Sequence, residues 1–248
     1  MVERQRDIGR RSIRIVSLDS ARFPIVHAVT DSNTVAQEGF LERASAVMRS
    51  LGPRGALHLR SSRISGREFH EIALELAAHQ ESTGCWLIVN DRVDVALAVG
   101  ARGIQLASHS LRVPEALAAA PQVPIGASIH SVEEAIEAER AGAAWCVAGT
   151  VFETPSHAGR PPARVKFIAD VAKAIELPVI AIGGVTPDDV PALIEAGAHG
   201  IATIRGAGWE HAGAGFIEPV TRYISAYDSV SGSGKDDHPD GERSTTGA

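Results

Sequence analysis

The chain has 248 residues and a formal net charge of -6, with 44% hydrophobic, 22% charged and only 4% aromatic residues. That apolar content excludes a chain disordered as a whole, and the length suits one large domain or two small ones. No stretch approaches ~18 uncharged apolar residues, which excludes a membrane-spanning helix, and with no apolar h-region at the N-terminus no secretory signal is expected.

Residues 1–22 hold six arginines against Glu3, Asp7 and Asp19, and read as an Arg-rich, solvated N-terminal extension. From residue 23 to 227 short apolar runs alternate with longer amphipathic ones. IVHAVT begins at Ile25 and ALHLR at Ala56. A helical stretch, FHEIALELAAHQ, follows from Phe69. WLIVN from Trp86 leads into VDVALAV from Val93, and GIQLA begins at Gly103. PIGASI from Pro124 leads into VEEAIEAERAGA from Val132, where Ser131 and Glu134 have the spacing of a capping box. WCVAG from Trp145 is followed by VKFIADVAKAIE from Val165. PVIAIGG from Pro178 precedes DDVPALIEAGA, and GIATIRG from Gly200 closes the series. Gly142 and Gly197 stand where helices need a left-handed cap. Residues 228–248 are almost free of apolar side chains and read as a disordered polar tail.

The apolar runs are four to seven residues long and mostly rich in Val and Ile, as strands buried on both faces of a parallel sheet are. Eight strand–helix units in about 200 residues predict a single-domain α/β fold, a (β/α)8 TIM barrel. A doubly wound sheet would carry a G-x-G-x-x-G turn near its first strand, and none is present. The glycine pairs come late instead, after the seventh and eighth strands, where barrels bind phosphate.

In a barrel the chemistry sits at the C-terminal strand ends. That selects Thr30, Asp31, His58, Arg60, Asn90, Asp91, Gln105, Ser128, His130 and Thr150. His130 can exchange a proton near neutral pH. Gly183 and Gly184 let backbone N–H groups approach a phosphate, with Arg205 and Gly206 beside them. The loop after the sixth strand, with Thr154, Ser156, His157, Arg160 and Arg164, has the polarity and length of a lid. Asp91 has no second carboxylate at a neighbouring strand end, so no metal site is expected, and it is read as a helix cap or a substrate contact. Cys85 and Cys146 are too few for a disulfide framework and read as reduced core residues of a cytoplasmic protein. The acidic body argues against nucleic acid as a partner.

HAVTD, VNDRVDVALAVGARGIQL, GASIHSVEEA, GTVFETPS and IAIGGVTPDDV, spread over residues 23–206, together resemble the family of thiamine phosphate synthase and thiazole tautomerase. The resemblance implies a barrel that binds a thiazole phosphate at its mouth. The synthase branch carries Gln-Leu-Arg-Glu-Lys after the second strand; here His58, Leu59, Arg60, Ser61 and Ser62 stand there. A second metal-binding aspartate corresponds to Ser110, and a loop lysine to His157. These departures favour the tautomerase branch. The expected function is therefore a metal-independent isomerase that aromatises a carboxythiazole phosphate, with His130 catalytic. Arg60, Asn90, Ser128 and Thr154 would contact the substrate, while Gly183, Gly184, Arg205 and Gly206 hold its phosphate. No cofactor is expected, Mg2+ entering only with the synthase alternative, which joins a pyrimidine pyrophosphate to the thiazole phosphate. A non-catalytic binder of such phosphates is the second alternative. The partner is a small phosphorylated thiazole, with no membrane and a possible homo-oligomer.

Overall fold

The computed structural model describes residues 2–8, 11–18, 22–153, 164–209 and 218–231. The chain opens with two strands, β1 (Val2–Ile8) and β2 (Arg11–Ser17), paired antiparallel in register from Val2 opposite Ser17 to Ile8 opposite Arg11. The Arg-rich start thus holds a two-stranded hairpin that is not part of the barrel sheet.

The barrel follows in strict alternation. β3 (Val26–Val29) leads to a short α1 (Ser32–Val35) and to α2 (Phe40–Leu51). β4 (Gly55–Leu59) precedes α3 (Gly66–Thr83), and β5 (Trp86–Asn90) precedes α4 (Val93–Val99). β6 (Gly103–Leu106) is followed by α5 (Val113–Ala119), and β7 (Ile125–Ile129) by α6 (Val132–Ala141). β8 (Trp145–Gly149) is followed by α7 (Arg164–Ala174), and β9 (Val179–Ile182) by α8 (Val190–Glu195). β10 (Gly200–Thr203) and α9 (Glu218–Ser231) end the domain. All eight strands are parallel, and β10 pairs back onto β3 to close the barrel. The fold is the expected (β/α)8 barrel.

The strands lack an apolar–polar alternation because both faces are buried. Their outward residues, such as Leu57, Leu59, Leu87, Val89 and Cys146, pack beneath the helices. Their inward residues, such as Val29, Ala56, Ile88, Trp145, Val147, Ile180 and Ala202, fill the barrel. The N-terminal end is plugged by Phe23, whose ring packs on Trp86, Trp145, His27 and His199 with centroids 5.1–5.6 Å apart. Both cysteines are free and buried, and burial pushes each thiol up to about 12. They are inert core residues at neutral pH.

Trp145 is the largest fully buried side chain, and its indole N–H donates to Gln105 Oε1 at 2.8 Å. The indole fits only because the facing residue on β7 is Gly126: a Cβ there would overlap the indole ring and come within 2.5 Å of Gln105 Oε1. Gly126→Ala is therefore expected to lower unfolding free energy by about 3 kcal/mol, at the upper end for overpacking. A urea unfolding curve checks this; a change under 1 kcal/mol would contradict the packing.

Candidate active site

The C-terminal strand ends surround a cavity of about 740 Å³. Arg60, Asn90, Ser128, His130, Gly183, Gly184, Arg205 and Gly206 all line it. Thr154 lies outside the described residues, as do Ser156, His157 and Arg160 of the same loop.

His130 is held from two sides. Ser131 caps α6 by accepting the Glu134 N–H at 3.1 Å, and the Glu134 carboxylate reaches back to the His130 N–H at 2.6 Å. The expected capping box is thus completed on His130 instead of Ser131, and it anchors the histidine's backbone. The side-chain Nδ1 lies 2.6 Å from the Gly149 carbonyl at the end of β8. A carbonyl only accepts, so Nδ1 carries the hydrogen and a neutral ring leaves Nε2 as its acceptor.

Arg60 is set by Thr30, which is fully buried. The Thr30 hydroxyl accepts the Arg60 N–H at 2.8 Å and donates to the Arg60 carbonyl at 2.9 Å, tying the loop after β4 to the end of β3. The Ser62 N–H donates to Ser32 Oγ, and Arg63 donates to Asn33 Oδ1 at 2.9 Å. The Arg60 guanidinium makes no ion pair among the described residues. Neither does Arg205, which starts a short 3-10 turn (Arg205–Ala207) after β10.

Gly184 has φ +66, and a Cβ on it would approach Glu153 O at 2.8 Å and Phe152 Cβ at 2.9 Å. The segment after β8 packs onto this turn, with the Phe152 N–H donating to Gly183 O at 2.9 Å. Tyr223 of α9 donates to Val185 O at 2.9 Å and braces the same turn. The Gly206 N–H is already given to Thr203 Oγ1 at 3.1 Å, so the phosphate role expected of Gly206 requires that hydroxyl to be displaced or shared.

Asp91 is not a helix cap. It has φ +61, its N–H donates to Gln105 O, and its Oδ1 accepts the Ala107 N–H at 2.9 Å. Arg92 takes the N-cap position of α4. Asp91 therefore clamps the β5 loop to the β6 loop. Its carboxylate is half committed, Ser110 occupies the place implied for a second one, and no group of three metal-ligating side chains exists among the described residues. Asp91 Oδ2 is the carboxylate oxygen left over at this strand end, where one carboxylate with substrate phosphates could hold a Mg2+ ion.

The cavity floor holds polar groups the sequence reading underweighted. His58 is buried, and its Nε2 lies 2.8 Å from Nδ1 of the fully buried His27. His27 Nε2 lies 3.0 Å from the Pro24 carbonyl. Burial pushes His58 down to about 3 and, together with the repulsion two protonated rings would feel, pushes His27 well below the ordinary histidine range. Asn90 adjoins His58, and its Oδ1 is buried without a hydrogen-bond partner of normal geometry. Gln105 passes a bond from Trp145 on to Ser128 Oγ at 3.1 Å. His27 was missed because nothing local marks which residue of a wholly buried strand points inward; a histidine inside an apolar run is the only signal.

These shifts make stability pH-dependent. Above pH 6.5 both histidines are neutral folded and unfolded, so they cost nothing. Below it the unfolded chain takes up protons that the folded chain refuses, and stability falls by about 1.4 kcal/mol per pH unit for each. Urea unfolding at pH 7, 6 and 5 is expected to show a loss of about 2 to 4 kcal/mol, with His58→Gln removing about half the slope. A flat profile would contradict neutral buried histidines.

A barrel whose late glycine turns and unpaired arginines share one mouth is the build of an enzyme that handles phosphorylated small molecules. The model of the thiamine monophosphate synthase family matches residues 26–207, and the chain belongs to that family. It is 38% identical over 189 residues to the thiamine-phosphate synthase of Chlorobium luteolum, covering 75% of this chain and 86% of the relative. It is 36% identical to that of Pyrococcus abyssi over 153 residues, 62% of this chain and 74% of the relative. Among solved structures it resembles the thiamine phosphate pyrophosphorylase of Pyrococcus furiosus, with a TM-score of 0.72 and 29% identity over 83% of this chain and 96% of the other. These relatives correct the expected function. They are named as synthases, which are transferases, and nothing singles out the tautomerase branch, so the isomerase reading is withdrawn.

Proposed function

We propose that the chain is a transferase of the thiamine-phosphate synthase type, joining a hydroxymethylpyrimidine pyrophosphate to a thiazole phosphate. The observation that supports this reading is that two groups able to bind anions line one mouth. Arg60 follows β4, and the Gly184 and Arg205 turns follow β9 and β10, so the two groups flank the exit of β3. A single phosphorylated ring needs only one of them.

In the reaction the thiazole nitrogen bonds to the methylene carbon of the pyrimidine, the C–O bond breaks, and its electron pair leaves with pyrophosphate. Arg60 meets the charge that grows on the leaving group, within a loop that Thr30 holds rigid. Gly183, Gly184, Arg205 and Gly206 hold the thiazole phosphate. Asn90 and Ser128 contact the rings, and His130 offers Nε2 to a ring substituent. The thiazole becomes cationic as it reacts, and the neutral His27–His58 floor does not repel it. No step is assigned to a metal ion.

Incubating the purified full chain with both substrates, with and without Mg2+, tests the reading. Thiamine phosphate and pyrophosphate are expected in equal amounts. Arg60→Gln is expected to lower kcat/KM about 10- to 100-fold, the loss of one charged hydrogen-bond donor. Substrate binding with no product under either condition would overturn the proposal in favour of a binding protein.

A further inference from the structure

The buried histidine pair has a direction. The Pro24 carbonyl can only accept, so the His27 nitrogen 3.0 Å from it, Nε2, carries the hydrogen. Burial denies His27 a second proton, so its Nδ1 is a lone pair. The His58 Nε2 that faces it at 2.8 Å must then be the donor. With Nε2 protonated and the ring neutral, His58 Nδ1 is a lone pair as well. His58 lines the cavity, and Nδ1 is its one polar atom not used by His27. The reverse direction fails at its first link, because it would set a His27 lone pair against the Pro24 carbonyl.

The top of this chain meets Asn90, whose side chain hydrogen-bonds the His58 ring. A lone pair on His58 Nδ1 takes the amide NH2 of Asn90, so the amide oxygen is the acceptor left at the floor without a protein partner. The floor therefore asks for an N–H from whatever occupies it.

We propose that His27 is a positioning residue that locks His58 in its neutral Nε2–H tautomer, so that the cavity floor meets the ring above it with an acceptor and selects a ring bearing N–H groups. This rests on the transferase reading for the identity of that ring, but not for the tautomer. His27 touches no substrate. It acts by holding the far nitrogen of His58, as a second residue holds a catalytic imidazole in one tautomer.

Two measurements on the full chain test it. The first is the nitrogen NMR spectrum of histidine-labelled protein at neutral pH. Both His27 and His58 are expected to show a protonated Nε2 and an unprotonated Nδ1. His58 found with its hydrogen on Nδ1, or as an imidazolium, would overturn the proposal whether or not the protein makes thiamine phosphate. The second is kinetic. His27→Phe keeps the ring but removes the acceptor, and is expected to raise KM for the pyrimidine substrate about tenfold with kcat within about twofold, roughly one lost hydrogen bond. His27→Gln keeps an acceptor oxygen for His58 and a donor for Pro24, and is expected to restore both KM and the wild-type tautomer of His58. An unchanged KM and an unchanged His58 spectrum in His27→Phe would overturn the proposal. If His27→Phe does not fold, the wild-type spectrum and that of His27→Gln decide it.

Discussion

Closure of the sheet is the constraint on which everything else depends. The pairing of Ile201, Ala202 and Thr203 with Val26, His27 and Ala28 joins the last strand to the first. With every strand parallel, all eight C-terminal ends then face one rim. Closure also leaves no solvent-facing side to any strand. Each polar group that points inward must find a partner inside or serve a ligand, because an unpaired buried one costs about 1–3 kcal/mol. Trp145, Gln105 and Ser128 form one such chain, and Pro24, His27 and His58 form another. Both climb from the plugged end of the barrel toward the mouth, which makes the floor polar yet uncharged.

The rim divides the work differently. Charged groups stand at it, Arg60 and Arg205 beside Asp31, while Thr30, Glu134 and Tyr223 fix the backbone around Arg60, His130 and the Gly184 turn. In the proposed reaction the rim would meet the anions and the neutral floor the rings. Lysines implied by the resemblance are absent at Ser62 and His157, and arginine supplies the positive charge on the described rim. Guanidinium groups bind phosphate oxygens two at a time, which a lysine ammonium cannot do.

Most of the fold was legible in the sequence. All eight barrel strands fall within the apolar runs, Gly55 at the start of β4 excepted, because a strand buried on both faces is short, apolar and continuous. α6 was legible from its cap and stripe and α4 from its apolar run alone, whereas α2, α5 and α9 carried no comparable signal. The β1–β2 hairpin was hidden by its arginines, since charge patterning does not reveal backbone pairing. The residues at the mouth were legible because barrel geometry puts strand ends there. The inward histidine was not, because a uniformly buried strand carries no period to tell its two sides apart. The branch was misjudged because three departing side chains, at Ser62, Ser110 and His157, were weighed above the likeness of the whole chain.

The central claim is that one cavity holds two anions at separate places. Titration calorimetry with pyrophosphate and with the thiazole phosphate, each alone and then in the presence of the other, tests it most directly. The account predicts one equivalent of each, bound without competition, with Gly184→Ala weakening only the thiazole phosphate and Arg60→Gln only pyrophosphate. Mutual displacement at a single shared site would contradict it.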